Sequence, residues 1–293
     1  MPGNRGNLET RQLANMNPWI LAARPKTLSA SVVPVVVGTA LAYRVAFAWM
    51  PFVCALLGAI FIQIGTNLVN DALDFRKGAD THERLGPIRV TQAGLLGYDT
   101  VLRGAYLCFV LAGICGVPLI LRGGWPIAII GIASILAAYA YTGGPYPLAY
   151  HGLGELFVLV FFGIMAVGGS YYVQRLAYDV RALVAGIAVG LLAVVLLAIN
   201  NLRDVESDRA SNKKTLVVRF GETFGRIEIA ACVLLPFVLV FPITWTPLAA
   251  FPLVVFLIRT TWHAKGTHLN RCLALAGLLQ WTFGILFVVG MVL

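Results

Sequence analysis

Two short clusters of asparagine and aspartate carry most of the side chains in this sequence that could do chemistry. The first runs Asn67-Leu-Val-Asn70-Asp71-Ala-Leu-Asp74, and the second runs Asn200-Asn201-Leu-Arg203-Asp204-Val-Glu206-Ser-Asp208. With Asp80 and Glu83 they hold seven of the 13 acidic residues. Residues three and four apart share one face of a helix. Asn67, Asp71 and Asp74 therefore form one stripe, with Asn70 above Asp74, and Asn200, Asp204 and Asp208 form another. Carboxylate and amide oxygens suit a hard cation, Mg2+ or Ca2+, better than zinc or copper. Mg2+ typically joins a few carboxylates to phosphate oxygens. The bases that follow each cluster are the groups that bind such oxygens directly. These are Arg76, Lys77, Arg84 and Arg89 after the first cluster, and Lys213 and Lys214 after the second. The bland alternative is a polar helix end whose acids pair with adjacent bases. It accounts for one such cluster more easily than for two.

The elements that must position these residues are apolar. Of the 293 residues, 59% are hydrophobic and 12% charged, and the mean hydropathy is +0.83. A soluble chain of this length needs far more polar surface. About 20 apolar residues cross the hydrocarbon as a helix. Nine such runs are expected, at about 28–48, 51–70, 101–121, 126–142, 152–173, 182–202, 227–243, 247–262 and 272–292. They are continuous and do not alternate, which argues against a closed barrel. The predicted fold is an all-α integral membrane protein, a single polytopic domain over 1–293. Residues 1–18 are polar, unlike a signal peptide, and are expected to form a poorly ordered extension.

With nine crossings, 18 of the 22 Lys and Arg fall on one side; the exceptions are Arg44, Arg122, Arg175 and Arg181. The positive-inside rule then puts the N-terminus and both Asn–Asp clusters in the cytoplasm, with the C-terminus outside. The bases are split among loops rather than forming a stripe, so nucleic acid is a poor partner. The five cysteines lie in or at the ends of apolar runs and read as small core residues. The histidines at 82, 151, 263 and 268 are scattered. Gln174 and Arg175 read as interfacial. The two clusters also look like a weak internal repeat about four helices apart.

Carboxylates at the membrane mark functional sites. A diphosphate site that opens into a bilayer suggests a polyprenyl diphosphate, its head on the cation and its tail among the helices. Metal and bases stabilise the departing diphosphate. A dry cavity keeps water from the allylic cation, so an electron-rich ring can capture it. Tyr141 reads either as an aromatic face over that cation or as an interfacial tyrosine. Glu155 reads as a substrate or base residue, or as a buried structural acid. Arg24 and Lys26 read as topogenic anchors, or as groups that bind a substrate carboxylate or phosphate.

The stretches 24–42 (RPKTLSASVVPVVVGTALA), 67–94 (NLVNDALDFRKGADTHERLGPIRVTQAG), 141–155 (YTGGPYPLAYHGLGE) and 200–221 (NNLRDVESDRASNKKTLVVRFG) resemble the UbiA superfamily of intramembrane prenyltransferases. Within it they resemble the branch that prenylates 1,4-dihydroxy-2-naphthoate. The resemblance implies a nine-helix horseshoe around a lipid-open cavity, with the two Asp motifs facing each other under a cytoplasmic cap. It implies Mg2+ as cofactor, held by Asn67, Asp71, Asp74, Asp204 and Asp208. Catalysis would rest on those four aspartates and Tyr141. Substrate binding would involve Asn67, Asn70, Arg84, Arg89, Asn200, Arg203, Lys213, Lys214, Arg24, Lys26 and Glu155. The implied reaction replaces the ring carboxylate with a polyprenyl group, releasing CO2 and diphosphate. The superfamily often has a basic residue between Tyr141 and Glu155; none stands there. Asn212 stands where the family often has glycine, and asparagine tolerates a left-handed turn. Prenylation of another ring, such as 4-hydroxybenzoate, is the nearest rival. An ion-coupled transporter with intramembrane carboxylates is the rival from another class.

Overall fold

The computed structural model describes residues 17–78 and 85–293, and all regular structure among them is helical. The longer helices are α1 (Ser29–Tyr43), α2 (Trp49–Arg76), α3 (Tyr98–Gly123), α4 (Trp125–Ala140), α5 (Gly154–Arg175), α6 (Val180–Arg203), α7 (Glu222–Val240), α8 (Phe251–His263) and α9 (Leu269–Val292). Each apolar run of the sequence meets one of them. Crossing length is another matter. Six helices (α2, α3, α5, α6, α7 and the segment Gly266–Val292) are long and apolar enough to span a membrane. A seventh span arises only if α1 is joined to Pro18–Thr27 across a 50° bend. By length and composition alone, six or seven helices among the described residues reach crossing length, while each of the nine apolar runs forms a helix. The run at 126–142 stops at the Thr142–Pro145 turn, and the run at 247–262 opens with a 3₁₀ turn, Thr246–Ala250. Both helices are left short.

Of the proposed extension 1–18, residues 1–16 lie outside the described part. Pro18 is already helical: Asn17 Oδ1 caps Trp19 N at 2.9 Å, with proline in the first turn where its missing N–H costs nothing.

Helix length sets the depth of the Asn–Asp clusters. At 1.5 Å per residue, Asn67 lies about 27 Å along α2 from Trp49, close to the thickness of the hydrocarbon. Asn200 lies about 30 Å along α6 from Val180. Both clusters therefore sit where their helices emerge, at the same end of the bundle.

α6 is the central helix. Its apolar window is 72% buried, against 17% for α3. α6 packs on α7, α9, α1 and the middle of α5 to form the larger apolar core. α2, α3 and Ala138 of α4 form a second, smaller one with Val90. The middle of α5, Leu159–Met165, winds in wider π turns. There a Cβ at Gly163 would lie 2.4 Å from the Gly186 carbonyl oxygen and 2.6 Å from the Gly190 Cα. Glycine is what lets α5 and α6 approach this closely. At the opposite end from the clusters, Gln174 is not interfacial but buried. Its amide accepts from Ala48 N at 2.7 Å and donates to Ala48 O at 3.1 Å, tying α5 to the α1–α2 turn.

Candidate active site

A cavity of about 710 Å3 lies between the two apolar cores. Its body is walled by apolar residues of α3, α4, α5 and α6, among them Ile120, Ile130, Phe157, Phe161 and Leu197. One end is polar, and both Asn–Asp clusters reach it. Asn67, Asn70 and Asp74 come from α2. Asn200, Asn201 and Arg203 come from α6, with Asp204 at its C-terminus and Asp208 in the short helix Val205–Ala210. Arg24, Lys26, Arg89, Tyr141 and Lys213 complete that end.

The acids on this wall already have basic neighbours. Asp74 Oδ2 accepts from Arg89 Nη2 at 3.0 Å, and Asp74 Oδ1 accepts from the Tyr150 hydroxyl at 3.2 Å. Asp204 is gripped by Arg203 through Nε at 2.8 Å and Nη2 at 2.7 Å, and Arg203 Nη1 donates to Asn270 Oδ1 at 2.9 Å. Asn270 in turn donates to Leu85 O at 3.0 Å, so the second cluster is linked to the loop after the first. Lys213 Nζ stands 3.6 Å from Asp208 Oδ1. The Asp208 Oδ2 atom is buried and has no hydrogen-bond partner. Burial pushes the Asp208 carboxyl up to about 6; Lys213 opposes this, while Asp204 and Asp74 add to it.

The amides are oriented by what they donate to. Asn67 Nδ2 donates to Ala23 O at 2.9 Å, Asn200 Nδ2 to Leu196 O at 2.9 Å, and Asn201 Nδ2 to Glu155 Oε1 at 2.8 Å. Each contact fixes the nitrogen end, so each of the three keeps its carbonyl oxygen for the cavity. Asn70 differs: its Oδ1 accepts from the Thr142 hydroxyl, which keeps its N–H groups for the cavity.

A hard cation fits this donor set. Three asparagines whose amide nitrogens are committed elsewhere line one end of one cavity, with Asp74, Asp204 and Asp208, the last carrying a buried oxygen without a hydrogen-bond partner. Among the described residues, no three His, Cys, Asp or Glu side chains close around one point. Such a cation would therefore need waters or substrate oxygens to complete its shell, as Mg2+ does.

Three of the residues expected at the site do not reach the cavity wall. Asp71 is 1% exposed, and its carboxylate accepts Val90 N at 3.1 Å and Thr91 N at 2.9 Å. In this structure it anchors the loop that carries Arg89, because two buried N–H donors need an acceptor. Glu155 is buried behind Asn201. Lys214 is exposed, and its N–H closes a backbone bond to Tyr150 O at 3.0 Å. Arg84, with Asp80 and Glu83, lies outside the described residues. Asn212 does adopt the left-handed conformation, at φ 59°.

The sequence reading missed Tyr150. The Tyr150 ring lies 4.6 Å from Lys77 Nζ and 5.7 Å from Lys213 Nζ. Lys77 Nζ donates to Thr142 O, fastening the end of α2 to the end of α4. A tyrosine spaced from an acid by 76 residues leaves no local signal.

The site is thus an apolar cavity inside a bundle of membrane-length helices, closed at one end by paired asparagines, aspartates and bases. The chain belongs to the UbiA prenyltransferase family, whose model matches residues 31–284. It is 36% identical to the 1,4-dihydroxy-2-naphthoate octaprenyltransferase of Haemophilus influenzae, over 94% of this chain and 96% of that one. It is 38% identical to the enzyme of the same name from Mycobacterium tuberculosis, over 83% of this chain and 85% of that one. The fold is similar to a UbiA homolog from Aeropyrum pernix, with a TM-score of 0.70, 13% identity and coverage of 90% and 98%. It is also similar to a UbiA homolog from Archaeoglobus fulgidus bound to GPP and Mg2+, with a TM-score of 0.67, 14% identity and coverage of 94% and 100%.

Proposed function

We propose that this protein transfers a polyprenyl group from polyprenyl diphosphate to 1,4-dihydroxy-2-naphthoate, with loss of CO2 and diphosphate, in menaquinone biosynthesis. The observation that carries this reading is the single cavity that joins a polar end, built from both Asn–Asp clusters, to an apolar body. The names of the relatives supply the acceptor.

The diphosphate belongs at the polar end and the isoprenoid tail along α3, α4 and α5. Asn67, Asp74, Asp204 and Asp208 would hold Mg2+, with Asn200 and Asn201 as further oxygens. Bound there, Mg2+ would neutralise charge on the departing diphosphate. Arg89, Arg203, Lys213 and Lys77, with the Asn70 N–H groups, serve the phosphate oxygens. Two of these bases also pair with acids of the site, Arg89 with Asp74 and Arg203 with Asp204. The arrival of cation and diphosphate lets each pair exchange partners without leaving a buried charge unpaired. Tyr141 and the rings of Phe157 and Phe161, all on the cavity wall, shelter the electron-deficient allylic carbon from water. Arg24 and Lys26 suit the acceptor carboxylate. Asp71 and Glu155 act from behind the wall.

We place the protein in the cytoplasmic membrane, with the N-terminus and the polar end of the cavity on the cytoplasmic side. The charge bias supports this: Arg24, Lys26, Arg89, Arg203 and Lys213 lie at that end, while Arg122 is fastened to Val173 O and Gln174 O at the other.

The deciding experiment uses purified protein in detergent, with Mg2+, a long prenyl diphosphate and carboxyl-labelled acceptor. Labelled CO2 should appear one-for-one with prenylated product. Prenylation without CO2 release would move the acceptor to another ring. No product with either naphthoate or hydroxybenzoate would overturn the reading.

A further inference from the structure

Two side chains and a backbone carbonyl converge on one hydroxyl beside the polar end of the cavity. Thr27 Oγ1 gives its single hydrogen to Arg24 O at 2.9 Å. Only its lone pairs remain, and two amides donate to them: Gln63 Nε2 at 3.3 Å and Asn67 Nδ2 at 3.2 Å. The second hydrogen of Asn67 Nδ2 goes to Ala23 O at 2.9 Å. A backbone carbonyl only accepts, so the amide atom that faces Ala23 must be the nitrogen. Both of its hydrogens are taken. Oδ1 is then the polar group that Asn67 keeps for the cavity it lines.

The backbone around Thr27 is bent for this arrangement. Arg24 sits at φ 52°, ψ 68°, a left-handed state that residues with a Cβ seldom adopt. Pro25 follows and opens the 3₁₀ turn Pro25–Thr27. The kink brings Ala23 O and Thr27 Oγ1 together on the face of α2 that presents Gln63 and Asn67, one turn apart. The same kink sets Arg24 and Lys26 on the cavity wall. One turn of chain thus supplies two bases to the site and clamps an amide of the opposite helix.

We propose that Thr27, backed by Gln63, is a positioning residue for the active site: it holds Asn67 with its oxygen toward the cavity, where that oxygen serves as a neutral ligand to the cation. This rests on the reading of Asn67 as a cation ligand. Thr27 itself touches neither cation nor substrate. Its requirement is an acceptor with a hydrogen committed elsewhere, which serine supplies and valine, of similar shape, does not.

The test is Mn2+ binding, read by electron paramagnetic resonance on detergent-purified protein with a prenyl thiodiphosphate present. Thr27→Val should bind Mn2+ about tenfold more weakly than the unmodified protein, and Thr27→Ser within twofold of it. Asn67→Ala should weaken binding at least as much as Thr27→Val, in which Ala23 O still holds the amide nitrogen, and the double variant should be no weaker than Asn67→Ala alone, because Thr27 acts only through Asn67. Should Thr27→Val fail to accumulate as folded protein, Thr27→Ala makes the same comparison. Equal affinity in Thr27→Val and Thr27→Ser, or fully additive losses in the double variant, would overturn the proposal. Asp208→Asn is the separate control. Undiminished Mn2+ affinity there would overturn the cation reading on which the proposal stands, whatever Thr27 does.

Discussion

The Tyr150 hydroxyl donates to Asp74 Oδ1 at 3.2 Å, while the centre of its ring lies 4.6 Å from Lys77 Nζ and 5.7 Å from Lys213 Nζ. One side chain from the loop between α4 and α5 therefore touches an acid of the first cluster and a base that follows the second. Lys213 also faces Asp208.

This arrangement separates two contributions of Tyr150. Tyr150→Phe keeps the ring near both ammonium groups and loses the bond to the Asp74 carboxylate, a bond worth about 1.5–3 kcal/mol. Turnover should fall about tenfold or more, with prenyl diphosphate KM little changed. Tyr150→Leu also removes the ring and should raise that KM. Steady-state kinetics on both variants check this, and equal behaviour of Phe and Leu would count against the division.

Asp204 and Asp208 differ in their surroundings, so their amide variants should differ too. Asp204 is already neutralised by Arg203, whereas Asp208 has a buried oxygen with no partner. Each Asn variant should lower turnover at least ~100-fold, given the several kcal/mol a cation supplies to a leaving group. Asp204→Asn leaves Arg203 buried without its carboxylate and should lower the thermal midpoint. Asp208→Asn removes a desolvated charge and should leave it unchanged or higher. Thermal unfolding beside activity measurements distinguishes the two.

The raised Asp208 carboxyl also sets a pH dependence for cation binding. Below about pH 6 Asp208 is protonated, and a cation must displace that proton. Apparent Mg2+ affinity should therefore be flat above about pH 7 and fall as pH drops through 6, by up to about tenfold per unit. In Asp208→Asn this slope should vanish. Mn2+ titrations between pH 5 and 8 test it.

Much of the site was legible in the sequence because its residues sit at helical spacing on helices of membrane length. Asn67, Asn70 and Asp74 on α2, and Asn200, Asp204 and Asp208 at and beyond the end of α6, meet one cavity from opposite sides, as two stripes on two emerging helix ends must. What spacing does not carry is which way a side chain is drawn by partners far along the chain. Asp71 lies on the same stripe as Asp74 but is pulled back by two backbone N–H groups nearly 20 residues on. Tyr150 and Thr27 act through contacts 76 and 40 residues distant. Helix length is a related case: hydropathy reports a greasy run, not the turn at Thr142 or the 3₁₀ start of α8 that shortens the helix within it.

Asp71 supplies the sharpest contrast between sequence and structure, and so the last prediction. As a cation ligand it would behave like Asp208. As the acceptor for Val90 N and Thr91 N it instead holds the loop that carries Arg89, the partner of Asp74. Asparagine at 71 keeps one acceptor oxygen and turns an NH2 toward the other N–H, leaving a buried donor unsatisfied at about 1–3 kcal/mol. Asp71→Asn should therefore lower the thermal midpoint and raise the KM for prenyl diphosphate, because Arg89 loses its footing. The pH slope of Mn2+ binding should survive, since Asp208 is untouched. Arg89→Lys should reproduce the KM change without the loss of stability from the loop, and the double variant should add little to KM. A loss of Mn2+ affinity in Asp71→Asn as large as in Asp208→Asn, with stability intact, would return Asp71 to the cation.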